Sequence, residues 1–236
     1  MFRDASVTVI IPARNEEASL PYVLTAMPGY VDRVIVADNG SEDHTADVAR
    51  SHGAMVCTEA EKGYGAACLC ALRYCEDPDI VVFMDADGSD DPVRMDVLLT
   101  PIVNGTYDFV LSDRTNAPVE PGAMSRAQIA GNMVSVGLIR LLWGVWFHDL
   151  APFRAIAYDK LRLLGMQDRN FGWTVEMQLR AVMHGLRIRE IPLAYGRREH
   201  GHSHVSARAS TIIKAGATIL FTIVRLRICA VTKERS

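Results

Sequence analysis

The 236-residue sequence contains no C-x-x-C pair, and its five cysteines, Cys57, Cys68, Cys70, Cys75 and Cys229, are odd in number. That excludes a fully paired disulfide framework and reads as small buried hydrophobes in a reducing compartment. No run reaches the roughly 18 apolar residues that a bilayer span needs. The chain opens Met1-Phe2-Arg3-Asp4 and passes directly into a strand, so no signal peptide is expected and the expected location is cytoplasmic. There is no G-x-G-x-x-G for a dinucleotide, no G-x-x-x-x-G-K-[ST] for a P-loop and no nucleic-acid-binding motif. Repeats, linkers and low-complexity tracts are missing as well.

What is present is an ordinary globular composition, 49% hydrophobic and 22% charged. A chain of this length buries roughly 70–75% of its unfolded surface, so its core needs no covalent staples. The net charge of −3 conceals an asymmetry. Residues 1–179 hold 14 Lys and Arg against 25 Asp and Glu, whereas residues 180–236 hold 11 against 3. A basic C-terminal quarter on an acidic body points to an anionic partner there, phosphate or a lipid surface rather than nucleic acid.

The organising stretch is Ile80-Val81-Val82-Phe83-Met84-Asp85-Ala86-Asp87-Gly88. Five apolar residues predict a buried strand, and two carboxylates follow at its C-terminal end, where open α/β sheets bind ligands. One carboxylate of such a pair can take a ligand hydroxyl while the other binds a hard divalent cation; the bland alternative is an acidic turn. Asp91 before Pro92 predicts an N-cap and first residue of a new helix. Strands are also predicted at 7–11, 33–37, 54–58, 107–112, 153–158 and 187–193. Helices are predicted at 18–27, 42–52 (capped by Ser41), from Gly65 onward, and at 126–147, 173–184 and 206–231. This alternation predicts an α/β fold, a mostly parallel Rossmann-like sheet with helices on both faces, over residues 1–205. Residues 206–236 form a C-terminal amphipathic helix and tail. Its uninterrupted apolar stretch, residues 215–224, suits a helix lying on a membrane rather than crossing it. The 126–147 helix is either a core helix or an interfacial one carrying Trp143 and Trp146.

The early strands end in polar bends at 12–16, 38–41, Lys62-Gly63 and 85–87, which a parallel sheet gathers on one edge. Here the sequence resembles the GT-A, family 2 glycosyltransferases. The resemblance rests on Val9-Ile10-Ile11-Pro12-Ala13-Arg14-Asn15-Glu16-Glu17, Ala37-Asp38-Asn39-Gly40-Ser41, Lys62-Gly63 and Met84-Asp85-Ala86-Asp87-Gly88. The later Asp149-x-x-x-Phe153-Arg154-Ala155, Phe171-Gly172-Trp173-x-x-Glu176 and Arg198-x-x-Gly201-x-Ser203 are similar to the dolichyl-phosphate mannose and glucose synthase subfamily. It spans about residues 6–210, and seven motifs in order are far more specific than any one of them.

The resemblance implies a nucleotide-sugar donor, held by Pro12, Ala13, Asn15, Glu16, Asp38 and Lys62, with Asp85 and Ala86 beside the ribose or diphosphate. It implies that Asp87 binds Mg²⁺ or Mn²⁺, that Arg114 and Arg126 face the donor and acceptor phosphates, and that Arg198 and Ser203 help hold the acceptor phosphate. Arg suits that role because its planar fork pairs two phosphate oxygens at once. The sequence departs from the family twice. Ser89 stands where a Gln often completes the metal shell, and His204 stands where Lys is usual. His200, His202 and His204 alternate as a zinc site would, although a His facing phosphate can simply act as a pH-dependent cation.

The expected activity is inverting transfer of a sugar to a polyprenyl phosphate by a peripheral protein on the inner face of the membrane. A phosphate monoester is already mostly a dianion at pH 7 and needs positioning more than a base; Glu176 is the candidate if a base is required. The rivals are the same donor chemistry with a soluble hydroxyl acceptor, a sugar-nucleotide pyrophosphorylase, and a non-catalytic binding module. The pyrophosphorylase needs a Gly-rich basic first loop, which Pro12-Ala13-Arg14-Asn15-Glu16 is not.

Overall fold

The computed structural model describes residues 1–197 and 209–234. Its centre is a seven-stranded sheet. In chain order the strands are β1 (Val7–Ala13), β2 (Arg33–Asp38), β3 (Met55–Thr58), β4 (Ile80–Phe83), β5 (Phe109–Asp113), β6 (Arg154–Ala157) and β7 (Ile188–Pro192). Their spatial order is β3-β2-β1-β4-β6-β5-β7. The first four are parallel, with Ala13 beside Asp38 and Ile10 beside Phe83, and β5 and β7 are parallel to each other. Only β6 runs against its neighbours, pairing antiparallel with β4 and β5. The sheet is mixed but mostly parallel, as the alternation of elements predicts.

β4 is buried at all four positions, which is why it reads as an unbroken apolar run. Alternate side chains of β1 face opposite sides of the sheet. Val9 and Ile11 enter one core with Leu20, Val23, Ala49, Met95, Leu98 and Leu99. These come from α1 (Leu20–Thr25), α2 (Thr45–Ser51) and α4 (Met95–Val103). Ile10, Ile35, Val81 and Phe83 face the other core, with Trp173, Met177, Ile139, Leu161 and Ile223. That face carries α3 (Tyr64–Leu72), α5 (Arg126–Trp143), α6 (Tyr158–Leu164), α7 (Trp173–Met183) and α8 (Ala209–Glu234). In α3 the residues Gly65, Ala66, Ala67, Cys68, Cys70 and Ala71 are buried, small side chains that let the helix approach the sheet. Asp91 caps the turn at Pro92–Arg94 by accepting from Val93 N at 3.0 Å.

Three helices differ from expectation. α2 begins at Thr45, not Glu42, because Ser41 Oγ is taken by the amide of Asn15 at 3.0 Å. α5 starts on a capping box between Ser125 and Gln128, but Gly144 caps it in the left-handed conformation, so the helix ends at Trp143, four residues short of Phe147. It buries only Ser135 and Ile139, so it is no core helix. α8 corrects the reading that no segment is long enough to span a bilayer. Its residues Ile212–Thr232 satisfy length and composition at a mean hydropathy of 1.6, with 28% of the stretch buried in the fold. Arg225 and Arg227 interrupt the apolar run in the sequence, yet a 21-residue helix accommodates both, and Arg225 turns inward toward Glu176 at 3.9 Å.

Candidate active site

The polar bends after β1, β2 and β3 meet at the C-terminal edge of the sheet and are tied together by side chains. Asn39 is the knot: its amide donates to Ala13 O at 2.9 Å, its Nδ2 donates to Glu59 O and Glu61 O at 3.1 and 2.7 Å, and its Oδ1 accepts from Gly63 N at 2.8 Å. Asn15, in the left-handed region at φ 54°, accepts from Glu42 N at 2.7 Å, and Glu16 N donates to Thr45 Oγ1 at 2.8 Å. Asp38 is buried and accepts from Ser41 N at 3.3 Å. Pro12, Ala13, Asn15, Glu16 and Asp38 are therefore gathered as expected, and the exposed Lys62 sits at the same corner, next to Gly63.

The Asp-x-Asp bend adjoins this corner through Tyr64. Burial and the neighbouring Asp85 carboxylate push the Tyr64 hydroxyl well above its ordinary pKa. Ala86 and Asp87 are buried, and Asp87 Oδ1 accepts from Ser89 N at 2.9 Å, a tight turn that Gly88 permits at φ 76°. A third carboxylate belongs to the cluster. Asp90 is buried, and burial together with Asp85 and Asp87 raises its pKa well above the carboxylate range. The oxygens Ser89 Oγ and Asp90 Oδ2 are buried without a hydrogen-bond partner among the described residues. A cavity of 430 Å³ opens beside them, lined by Gly88, Ser89, Asp91, Pro118–Glu120 and Ala194–Gly196. Its wall is stitched by Gly196 N to Ser89 O at 2.9 Å and Tyr195 N to Pro118 O at 3.1 Å.

Several expected site residues are placed differently. Arg114 does not present an open fork: Nε and Nη2 pair with Asp149 at 2.7 and 2.8 Å, and the guanidinium stacks on the Tyr195 ring at 5.1 Å. Burial opposes its charge, but Asp149 outweighs that and raises the Arg114 pKa. Glu176 is corrected as a candidate base. It is fully buried on α7; Oε2 accepts from Gln167 N and Asp168 N at 3.0 and 2.6 Å, and Oε1 accepts from Arg180 Nε at 2.8 Å. Such a saturated carboxylate braces a loop instead of taking a substrate proton. Arg126 is exposed at the first turn of α5. Arg198, Ser203 and the His200, His202, His204 series lie outside the described residues. Among the described residues, no group of three or more His, Cys, Asp or Glu is arranged to hold a metal ion.

The basic quarter is also less free than its charge suggests, since Arg180 pairs with Glu176 and Arg187 with Asp108 at 2.7 Å. Two residues carry structural weight that sequence reasoning left unassigned. Asp149, fully buried, holds Arg114. Arg154, equally buried on β6, donates to Ala151 O and, at 2.8 Å, to Thr174 O. Burial lowers the Arg154 pKa to about 10. Both stand in the Asp149-x-x-x-Phe153-Arg154 motif, which was the only signal in the sequence that could have found them.

A mostly parallel sheet with polar bends on one edge, a buried Asp-x-Asp turn and an adjoining cavity is an open α/β arrangement with its ligand-binding edge at the strand ends. The sequence profile of Glycosyl transferase family 2 matches residues 8–163. The chain belongs to that family and has the GT-A fold. It is 39% identical over 202 residues to an uncharacterised glycosyltransferase of Mycobacterium tuberculosis, covering 85% of this chain and 90% of the other. An undecaprenyl-phosphate mannosyltransferase of Micrococcus luteus is 31% identical, with 85% and 87% covered. A dolichyl-phosphate hexose transferase of Haloferax volcanii is likewise 31% identical, with 81% and 83% covered. Among solved structures, glucosyl-3-phosphoglycerate synthase from Mycobacterium tuberculosis superposes with a TM-score of 0.72 at 24% identity, over 94% of this chain and 80% of that one. It was crystallised with Mn²⁺, uridine-diphosphate-glucose and phosphoglyceric acid.

Proposed function

We propose that this glycosyltransferase moves a hexose from a nucleoside-diphosphate sugar to a polyprenyl phosphate at a membrane surface, with inversion at the anomeric carbon. The observation that carries the membrane part is α8. Its Ala215, Ile223, Leu226 and Ala230 are buried against the fold, while Ile213, Phe221, Val224 and Ile228 form an outward stripe, each at least 41% exposed. On the adjoining α5 side, Leu141 and Trp146 are 78% and 62% exposed, and Arg140 lies 3.6 Å over the Trp146 ring. A cation stacked on an outward tryptophan, together with an apolar stripe, suits the boundary between headgroups and acyl chains. The names of the Micrococcus and Haloferax relatives support the same acceptor.

In this reading Pro12–Glu16, Asp38 and Lys62 hold the base and ribose, and Asp85 lies by the diphosphate. A divalent cation fits the donor set. Asp87 and Ser89 offer only hard oxygen ligands, and Ser89 Oγ is a buried oxygen without a hydrogen-bond partner among the described residues. Among the described residues too few carboxylates converge for a complete shell, so phosphate oxygens of the donor would supply the rest. When bound, Mg²⁺ or Mn²⁺ stabilises charge on the departing nucleoside diphosphate. The chain's own contribution is to orient the donor and to align an acceptor phosphate, already a dianion, for direct attack on the opposite face of the sugar. The engagement of Glu176 elsewhere agrees with a reaction that uses no protein base. Arg126, Arg198 and Ser203 are the acceptor-phosphate candidates.

A soluble phosphorylated acceptor is the second reading, favoured by the phosphoglyceric acid bound to the structural neighbour. The test offers labelled UDP-glucose or GDP-mannose together with polyprenyl phosphate in vesicles or 3-phosphoglycerate in solution. Label that partitions into the organic phase is the expected result. Label transferred only to the soluble acid overturns the lipid acceptor.

A further inference from the structure

The first turn of α3 has no side-chain cap. Gly63 at its N-cap makes no side-chain cap, yet the amides of Gly65 and Ala66 donate to Asn170 O and Arg169 O at 3.2 and 2.9 Å. The loop 167–170 thus occupies the helix end that otherwise invites a phosphate. The fit is close: a Cβ on Gly63 would collide with the Arg169 carbonyl, and one on Gly65 with that of Asp168. The loop is itself held from behind at two points. Glu176 Oε2 takes the amides of Gln167 and Asp168, and Asp168 Oδ2 accepts from Thr222 Oγ1 of α8 at 3.1 Å, while Oδ1 accepts from Asn170 N at 2.8 Å. α8 also brings Arg225 to within 3.9 Å of Glu176. Gly172 lets this meeting happen, since its Cα faces both Asp168 Oδ2 and Thr222 Oγ1 with no room for a side chain.

These contacts form one continuous chain from the outward-facing helix to the donor corner: Thr222, Asp168, the 169–170 carbonyls, the start of α3, and Gly63 N on Asn39 Oδ1 at 2.8 Å. We propose that Asp168 and Glu176 are positioning residues for the Lys62–Gly63 corner, and that Thr222 makes α8 a brace of the donor site as well as a surface-seeking helix. The inference rests on reading that corner as part of the nucleotide pocket. Its physical basis is that a helix terminus keeps its geometry only while its unpaired amides have partners. Loosening the loop frees two amides and the Gly63–Asn39 bond together.

The experiment compares wild type with Thr222→Val, Thr222→Ser and Asp168→Asn. Binding of UDP and GDP is measured by calorimetry with Mn²⁺ present, and hydrogen exchange is followed at the amides of Gly65 and Ala66. Losing one hydrogen bond of about 1 kcal/mol corresponds to roughly a fivefold weaker nucleotide affinity in Thr222→Val. Exchange at the two amides should quicken, the donor KM should rise with kcat retained, and Thr222→Ser should restore both. Ile213→Ala, on the outward stripe, should leave nucleotide affinity and exchange unchanged. Unchanged exchange in both Thr222→Val and Asp168→Asn overturns the brace, as does faster exchange with wild-type nucleotide affinity. A wild-type protein that binds neither nucleotide overturns the donor-site reading itself and the brace with it.

Discussion

Arg114 grips Asp149 across 35 residues of chain with both edges of an ion pair, Nε to Oδ2 at 2.7 Å and Nη2 to Oδ1 at 2.8 Å, while its own amide donates to the same carboxylate at 3.0 Å. Asp149 is fully buried, so the pair fixes the loop after β5 to the segment before β6. Arg114→Ala would strand a buried carboxylate, at a cost of about 3–5 kcal/mol. The expected outcome is a lower denaturant midpoint with an unchanged slope, in addition to lost activity. Arg114→Lys should recover only part of the stability, since an ammonium cannot make the two-pronged contact. A variant that loses turnover at full stability would return Arg114 to a purely phosphate-facing role.

Asp87→Ala should abolish transfer. The wild-type enzyme should lose activity in EDTA and recover it on addition of Mg²⁺ or Mn²⁺. Asp85→Ala should mainly raise the donor KM. Undiminished turnover by Asp87→Ala in EDTA rules out the metal role of this bend.

The outward surface yields a prediction that separates two tryptophans. Trp146 is 62% exposed, whereas Trp143 is partly buried and its Nε1 donates to Ile223 O of α8 at 3.4 Å. Trp146→Ala and Leu141→Ala should each weaken binding to anionic vesicles about tenfold, the scale of one large side chain leaving an apolar phase. Nucleotide affinity should stay unchanged in both. Trp143→Ala should instead lower the melting temperature. Vesicle binding should also fall as salt rises, because the exposed cations act through a screened field. Sedimentation with vesicles at low and high salt checks both points; equal binding by Trp146→Ala and wild type contradicts the docking face.

Acid should loosen the loop after β5. Burial works to raise the Asp113 pKa, but hydrogen bonds from Asn116 Nδ2 at 2.6 Å and Thr115 Oγ1 at 2.6 Å, with both backbone amides, outweigh it and hold the carboxylate below its ordinary value. A depressed folded-state pKa contributes stability that is complete above the unfolded value, about 3.9, and is lost as pH falls through the lower folded value. Asp113→Asn should therefore be less stable than wild type at neutral pH, and the gap should close below about pH 4. Urea midpoints at pH 3 and pH 7 measure it; a constant gap across that range contradicts the assignment.

The sequence alone determined the elements and their chemistry. The unbroken apolar run before Asp85, the Asp91-Pro92 start, the small residues of α3 and the ordered polar bends are local signals, because strand burial, capping and turn formation depend on neighbouring residues. Those signals were enough to expect an α/β sheet with its site on one edge and to name the family. Tertiary structure decided what local pattern does not encode. The direction of β6 is invisible in an alternation of strands and helices, since an inserted antiparallel strand has the same composition as a parallel one. The partners of Arg114, Glu176 and Arg225 were equally hidden. Each reads as a free charge in the sequence; Arg114 and Arg225 are placed by segments far along the chain, and Glu176 by a loop that folds back on it. Only the folded chain brings Glu176 to the amides of Gln167 and Asp168 and turns Arg225 of α8 inward, because a buried charge must find its counter-charge or hydrogen bonds wherever the packing offers them.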